Sequence, residues 1–171
     1  MKERLDVDPR SANQASYLHP DGSLEPMSIK GLQKTVAEWD RSAVVPEEIE
    51  RILDLSRRLF VVGYFVYENF TYAAYESVRA VIRAIRTLVP SINLEHEDDF
   101  RSIVDEAYEV KLIDKETKDT LMLAWRLVGL RKDDPDHVVS AAIARGFIAR
   151  SHTIIGDIYS PGSSYPPANP S

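Results

Sequence analysis

Arg131 and His137 are the pair of side chains in this sequence best suited to chemistry. They bracket most of "LRKDDPDHV", residues 130 to 138, with five residues between them. Histidine takes or gives a proton near neutral pH. Arginine is a permanent cation whose planar fork fits phosphate oxygens. Together the two could cleave RNA without a metal. A ribose 2′-hydroxyl would lose its proton and attack the adjacent phosphorus, leaving a cyclic phosphate. The guanidinium would stabilise charge on the phosphoryl oxygens. The same stretch also reads as helix punctuation. Arg131 complements a helix C-terminus, and Asp134 with Pro135 makes a cap and a first helical position.

Positioning such a pair requires two elements to meet. The pattern along the chain is helical almost throughout. Sustained period-2 alternation is absent, and glycine and proline are scarce from residue 47 to 89. A short helix is predicted over Ile29–Asp40. Pro46, with Glu47, Glu48 and Glu50 behind it, marks the next start. The periodicity then runs to Val89, too long for one ordinary helix. A break near Gly63 divides it into helices of roughly 46–60 and 64–88.

A helix from about Asp98 to Glu109 follows, with Phe100, Ile103, Val104, Ala107 and Tyr108 on one face. Asp114 is a plausible cap for "KETKDTLMLAWRLVGLRK", buried through Leu121, Ala124, Trp125 and Val128. The last helix is expected from Asp134 to about Tyr159, with Ile143, Phe147, Ile154 and Ile158 apolar. Its Ala141, Ala142, Ala144, Gly146 and Ala149 would allow close approach. On that reading His137 lies in a first turn, across a short connection from Arg131. The fold class is all-α, an up-and-down bundle of about four to six helices with disordered tails. Residues 1–27 are expected to be irregular, 28–159 to form the bundle, and 160–171 to be a disordered tail rich in proline and serine.

A net charge of −6 and a pI near 5.2 argue against sequence-independent duplex binding, which needs a broad basic face. A local basic pocket remains open. With no cysteine, disulfides, zinc–thiolate sites and thiol catalysis are out. The N-terminal residues carry no apolar signal core, and the apolar run "LFVVGYFVY" is too short to span a bilayer. A cytoplasmic protein without membrane contact is expected. Phosphate-cradling glycine loops, dinucleotide fingerprints and serine–histidine–acid patterns are absent, so no cofactor is called for. "EHEDD", residues 95–99, lacks the spacing of a calcium loop and reads as an acidic helix start.

Arg79, Arg83 and Arg86 share a helix face. They form either a phosphate-contacting stripe or a solvated face paired with Glu76. Arg145, Arg150 and His152 could extend a basic patch. The rings of Tyr64, Phe65, Tyr67, Phe70, Tyr72 and Tyr75 suit base stacking, core packing or a dimer seam.

The arginine–histidine spacing at the junction of two helices resembles the HEPN superfamily of small all-helical proteins. "RRLFVVGYFVYENFTYAAYESVRAVIRAIRTL", residues 57 to 88, is similar to the long early helices of bacterial members, and "FRSIVDEAYEVKLIDKET", residues 100 to 117, to the piece that follows. The resemblance covers about 46–159. It implies a homodimer in which Arg131 and His137 of both subunits face a shared cleft. The implied activity is metal-independent RNA cleavage in bacterial defence or a toxin–antitoxin pair, with an antitoxin or other protein as partner. Lys132, Arg79, Arg83 and Arg86 would contact RNA phosphates. Other members keep the bundle as an inactive dimerisation or interaction module, and this chain departs from the usual motif at Lys132, Pro135 and Asp136.

Overall fold

The computed structural model describes residues 6–12, 15–18, 24–39, 44–89, 100–129 and 137–160. The chain is an all-α helical bundle. Its helices are α1 (Pro9–Ala12), α2 (Ile29–Ala37), α3 (Glu47–Val62), α4 (Asn69–Leu88), α5 (Phe100–Glu109), α6 (Lys115–Gly129) and α7 (Ala141–Ile158). The N-terminal stretch expected to be irregular contributes α1 and two short strands, β1 (Ala15–Leu18) and β2 (Leu24–Pro26), which pair antiparallel. Of the expected C-terminal tail, 160–171, all but Ser160 lies outside the described residues, as does "EHEDD". Among the described residues no helix is long and apolar enough to cross a membrane.

The bundle is organised on α4. It packs most extensively on α3, then on α7, and also meets α5 and α6. Ala73, Ala74, Ser77, Ala80 and Ala84 are wholly buried. Side chains this small let neighbouring backbones come close, and larger apolar groups fill the space around them. Those groups come from predictable stripes: Ile49, Leu53 and Phe60 of α3, Phe100, Ile103 and Val104 of α5, and Leu121 and Val128 of α6. On α7 the expected face holds only in part. Ala144, Ile148 and Ile155 turn inward, while Ile143 is 46% exposed. The inward stripe of α7 runs through Ser151 and His152, polar positions that a search for apolar periodicity passes over.

Capping follows the sequence where short polar side chains stand ready. Ser28 accepts the Gly31 N–H at 3.0 Å, and Asp114 accepts that of Thr117 at 2.8 Å. The start of α7 departs from expectation. Residues 137–140 are not helical, and the helix opens at Ala141 with Ser140 as its cap, accepting the Ile143 N–H at 3.4 Å. The cause is tertiary. The Val139 N–H is taken by Thr71 Oγ1 of α4 at 2.9 Å, which ties this segment to α4.

The expected break falls at Gly63. The helix stops because Phe70, fully buried in the returning helix, lies over it. A Cβ at Gly63 would sit 2.7 Å from the Phe70 ring. The break exposes backbone groups that need partners. The N-terminal residues supply them. Ser11 Oγ donates to Gly63 O at 3.1 Å, the Asp8 N–H donates to Tyr64 O at 3.2 Å, and Asp8 Oδ2 accepts the Tyr67 N–H at 3.3 Å. Arg10 joins Asp8 to Glu68. That pairing holds the Asp8 carboxyl down at about 2, with the backbone N–H groups of Arg10 and Tyr67 assisting.

Two outcomes follow from this geometry. Gly63→Ala is expected to cost about 1–3 kcal/mol in chemical denaturation, because the Phe70 ring is wedged against Phe60 and Tyr67 and cannot yield. Acid should release the N-terminal clasp. Asp8 is lowered in the folded state, so its contribution is full above the ordinary carboxylate value and fades as pH falls from about 4 through 2. The protection factor of the Tyr67 amide, its exchange rate referred to the intrinsic rate at the same pH, should fall over that window, and Asp8→Asn should lower it already at pH 7.

Candidate functional site

The sequence-predicted residues fall in three places. Arg131 and Lys132 lie outside the described residues. His137 stands in the extended segment before α7, partly buried. Its Nε2 is buried and has no hydrogen-bond partner among the described residues. A buried polar atom left unpaired is costly and calls for an explanation. Arg79, Arg83 and Arg86 are brought together on α4, lining a cavity of about 200 Å³ with Tyr75, Phe100 and Trp125.

The cavity joins cations to aromatic rings. Phe100 and Trp125 stack in parallel, 4.4 Å between centroids and 3° between planes. Tyr75 continues the stack at 6.0 Å and 29°, and the Arg79 guanidinium lies 5.9 Å from the Tyr75 centroid. Of the two sequence readings of the arginines, the pairing with Glu76 is present at Arg79. Arg79 donates to the two Glu76 oxygens at 3.0 and 2.9 Å, and Arg83 donates to Glu48 of α3 at 3.0 Å. A guanidinium has five N–H donors, so the single bond to Glu48 does not exhaust those of Arg83. Arg83 and Glu48 are each about half exposed, and such a pair contributes only about 0–1 kcal/mol. An arriving phosphate would therefore meet weak competition.

One relation joins the histidine to this cavity. Thr71, Tyr75, Arg79, Ile82 and Arg86 are spaced four, four, three and four residues apart, which puts them on one face of α4. Thr71 is where the Val139 N–H is held. The His137 segment therefore crosses the N-terminal end of the face whose middle and far end carry the arginines. From Thr71 to Arg86 that face is roughly 22 Å long.

Sequence reasoning missed a second arginine–histidine pair. Arg57 of α3 and His152 of α7 are 3% and 6% exposed, with Arg57 Nη1 3.5 Å from His152 Nε2. Arg57 also pairs with Glu50 and, at 3.4 Å, with Asp54. Trp39 stacks on His152, 5.8 Å between centroids. The signal was positional: Arg57 sits in the apolar stripe between Leu53 and Phe60, and His152 between Ile148 and Ile155. This buried pair joins α3 to α7, with Trp39, just beyond α2, stacked on it. The suggested patch of Arg145, Arg150 and His152 does not form, since Arg150 reaches Glu116 of α6 at 3.1 Å and His152 points to Arg57. Of the aromatic run, Tyr67 and Phe70 are core, and Tyr72 is 44% exposed.

A larger cavity of about 600 Å³ lies between the α5–α6 turn and the end of α7. Lys111, Lys115, Glu109, Asp114 and Asp157 give its lining both signs of charge, with no convergent set of donors. Among the described residues no group of acids and histidines could hold a metal ion. Comparison with protein-family models, with curated proteins and with solved structures finds no match.

The buried arginine makes a sharp stability test. Glu50 is 31% exposed, where substitution would ordinarily matter little. Glu50→Ala, however, strips a buried guanidinium of its nearest carboxylate. It should cost about 3 kcal/mol in denaturant unfolding, at the low end for a broken buried pair because Asp54 remains. Glu47→Ala, at an 81% exposed side chain, should change nothing measurable. Combining Glu50→Ala with Arg57→Met should recover most of the loss.

Proposed function

We propose that this chain is a HEPN-like bundle that engages RNA along one face of α4 and cleaves it without a metal through Arg131 and His137. The observation that carries the reading is the shared face. The segment bearing His137 is fastened to Thr71, at one end of the row that continues through Tyr75, Arg79 and Arg86. Aromatic rings and guanidinium groups side by side are what single-stranded RNA requires, rings for its bases and cations for its phosphates. His137 supplies the imidazole that the proton transfer needs.

In the reaction, the imidazole takes the 2′-hydroxyl proton as the oxygen attacks phosphorus. The bond from phosphorus to the 5′-oxygen breaks, and that oxygen takes up a proton as it leaves. The products are a 2′,3′-cyclic phosphate and a 5′-hydroxyl. Arg131 stabilises the phosphoryl oxygens. A homodimer with a shared cleft, and a defence or toxin–antitoxin role with a protein partner, rest on the family resemblance alone.

The acids at Glu48 and Glu76 and the net charge of −6 favour a second reading, a bundle that keeps the fold as an interaction module without cleavage. His137→Ala separates the two. It should abolish cleavage of a single-stranded RNA while leaving the thermal midpoint and the RNA affinity in place. Cleavage at the wild-type rate by that variant would remove the catalytic role. RNA affinity should fall steeply with salt, and Arg86→Ala should reduce the slope of log affinity against log salt by about one.

A further inference from the structure

The cavity at the far end of the α4 face is small, and arginines, aromatic rings and isoleucines line it. At about 200 Å³ it falls below the roughly 300 Å³ of pockets that take drug-sized ligands. It suits a single flat ring with a phosphate beside it. Ile52 and Ile82 add apolar wall, Tyr75 and Trp125 add ring surface, and Arg79 and Arg83 stand on the rim. Both rim arginines are already held by carboxylates, one from α4 itself and one from α3.

We infer that this cavity is a self-competed site for a phosphorylated aromatic ligand, a nucleoside monophosphate unit, in which Glu48 and Glu76 occupy the rim arginines until a phosphate displaces them. The base lies against the apolar and aromatic wall and the phosphate takes the guanidinium donors that the carboxylates release. Phosphate is the better partner. It offers more acceptor oxygens and, unlike either glutamate, arrives with a ring that gains burial in the same event. The acids also set a threshold, because an anion without a ring must compete with them and gains nothing from the wall. This inference rests on the RNA reading for its biological setting, where the unit is one nucleotide of a strand. Its chemistry stands equally for a free nucleotide.

Removing a negative charge from the rim should therefore strengthen anion binding without adding any contact. Calorimetric titration of the full chain with adenosine 5′-monophosphate, adenosine and ribose 5-phosphate tests this. The monophosphate should bind, and the two fragments should bind at least tenfold more weakly. Arg83→Ala should weaken the monophosphate about 10- to 100-fold. Glu48→Gln should tighten it by up to about fivefold, the range set by an exposed ion pair. Both residues are on the surface, and a thermal melt checks that each variant is folded. Absence of monophosphate binding at millimolar concentration, equal affinity in Arg83→Ala, or no tightening in Glu48→Gln would overturn the inference. Anisotropy with a short single-stranded RNA runs in parallel. RNA binding without monophosphate binding removes the cavity as the site and spares the RNA reading. Monophosphate binding without RNA binding keeps the site and points to a free nucleotide.

Discussion

Ala73, Ala74, Ser77, Ala80 and Ala84 bring α4 into close contact with its neighbours, and the rest of the molecule depends on that approach. A helix lined with large residues would hold its partners at a greater distance and could not share them so widely. Because α4 is central, its faces acquire different work. Most of its circumference is spent on core. The circumference left over includes the strip through Tyr75, Arg79, Ile82 and Arg86, which lines a cavity.

The same crowding explains the polar residues inside. Arg57 and His152 occupy positions that periodicity assigns to the core, and a guanidinium there is tolerable only with partners. Glu50 and Asp54 supply charge from the partly exposed side of α3, while His152 and Trp39 close the inner side. Such a pair adds little net stability over a well-packed apolar substitute, yet it fixes which helix turns meet. The N-terminal clasp solves a different problem. A break at Gly63 leaves carbonyls and amides without helical partners, and Asp8 and Ser11 satisfy them from outside the two helices.

Local signals were legible in the sequence and tertiary ones were not. The break near Gly63, the Asp114 cap and the buried stripes of α5 and α6 follow from spacing and from short polar side chains, so the bundle could be read directly. The start of α7 could not. Asp134 and Pro135 form an attractive local start, but Thr71, 68 residues from Val139, claims the backbone donor nearby. The Arg57–His152 contact joins residues 95 apart and has no local trace beyond two polar side chains in apolar stripes. At the candidate site, the arginine row was visible as a helix face. Phe100 and Trp125 were read only as the inner faces of their own helices, because their meeting beside the arginines depends on how α5 and α6 pack on α4.

The central claim is that the binding face runs along α4 from the His137 segment to Arg86. Titrating a short single-stranded RNA into isotope-labelled protein and following backbone amide shifts tests it most directly. The account predicts shifts at Tyr75, Arg79, Ile82 and Arg86, and at Val139 where the segment is fastened, with the α5–α6 turn silent. Shifts confined to Lys111–Thr117 and the end of α7, with the α4 face unmoved, would contradict it.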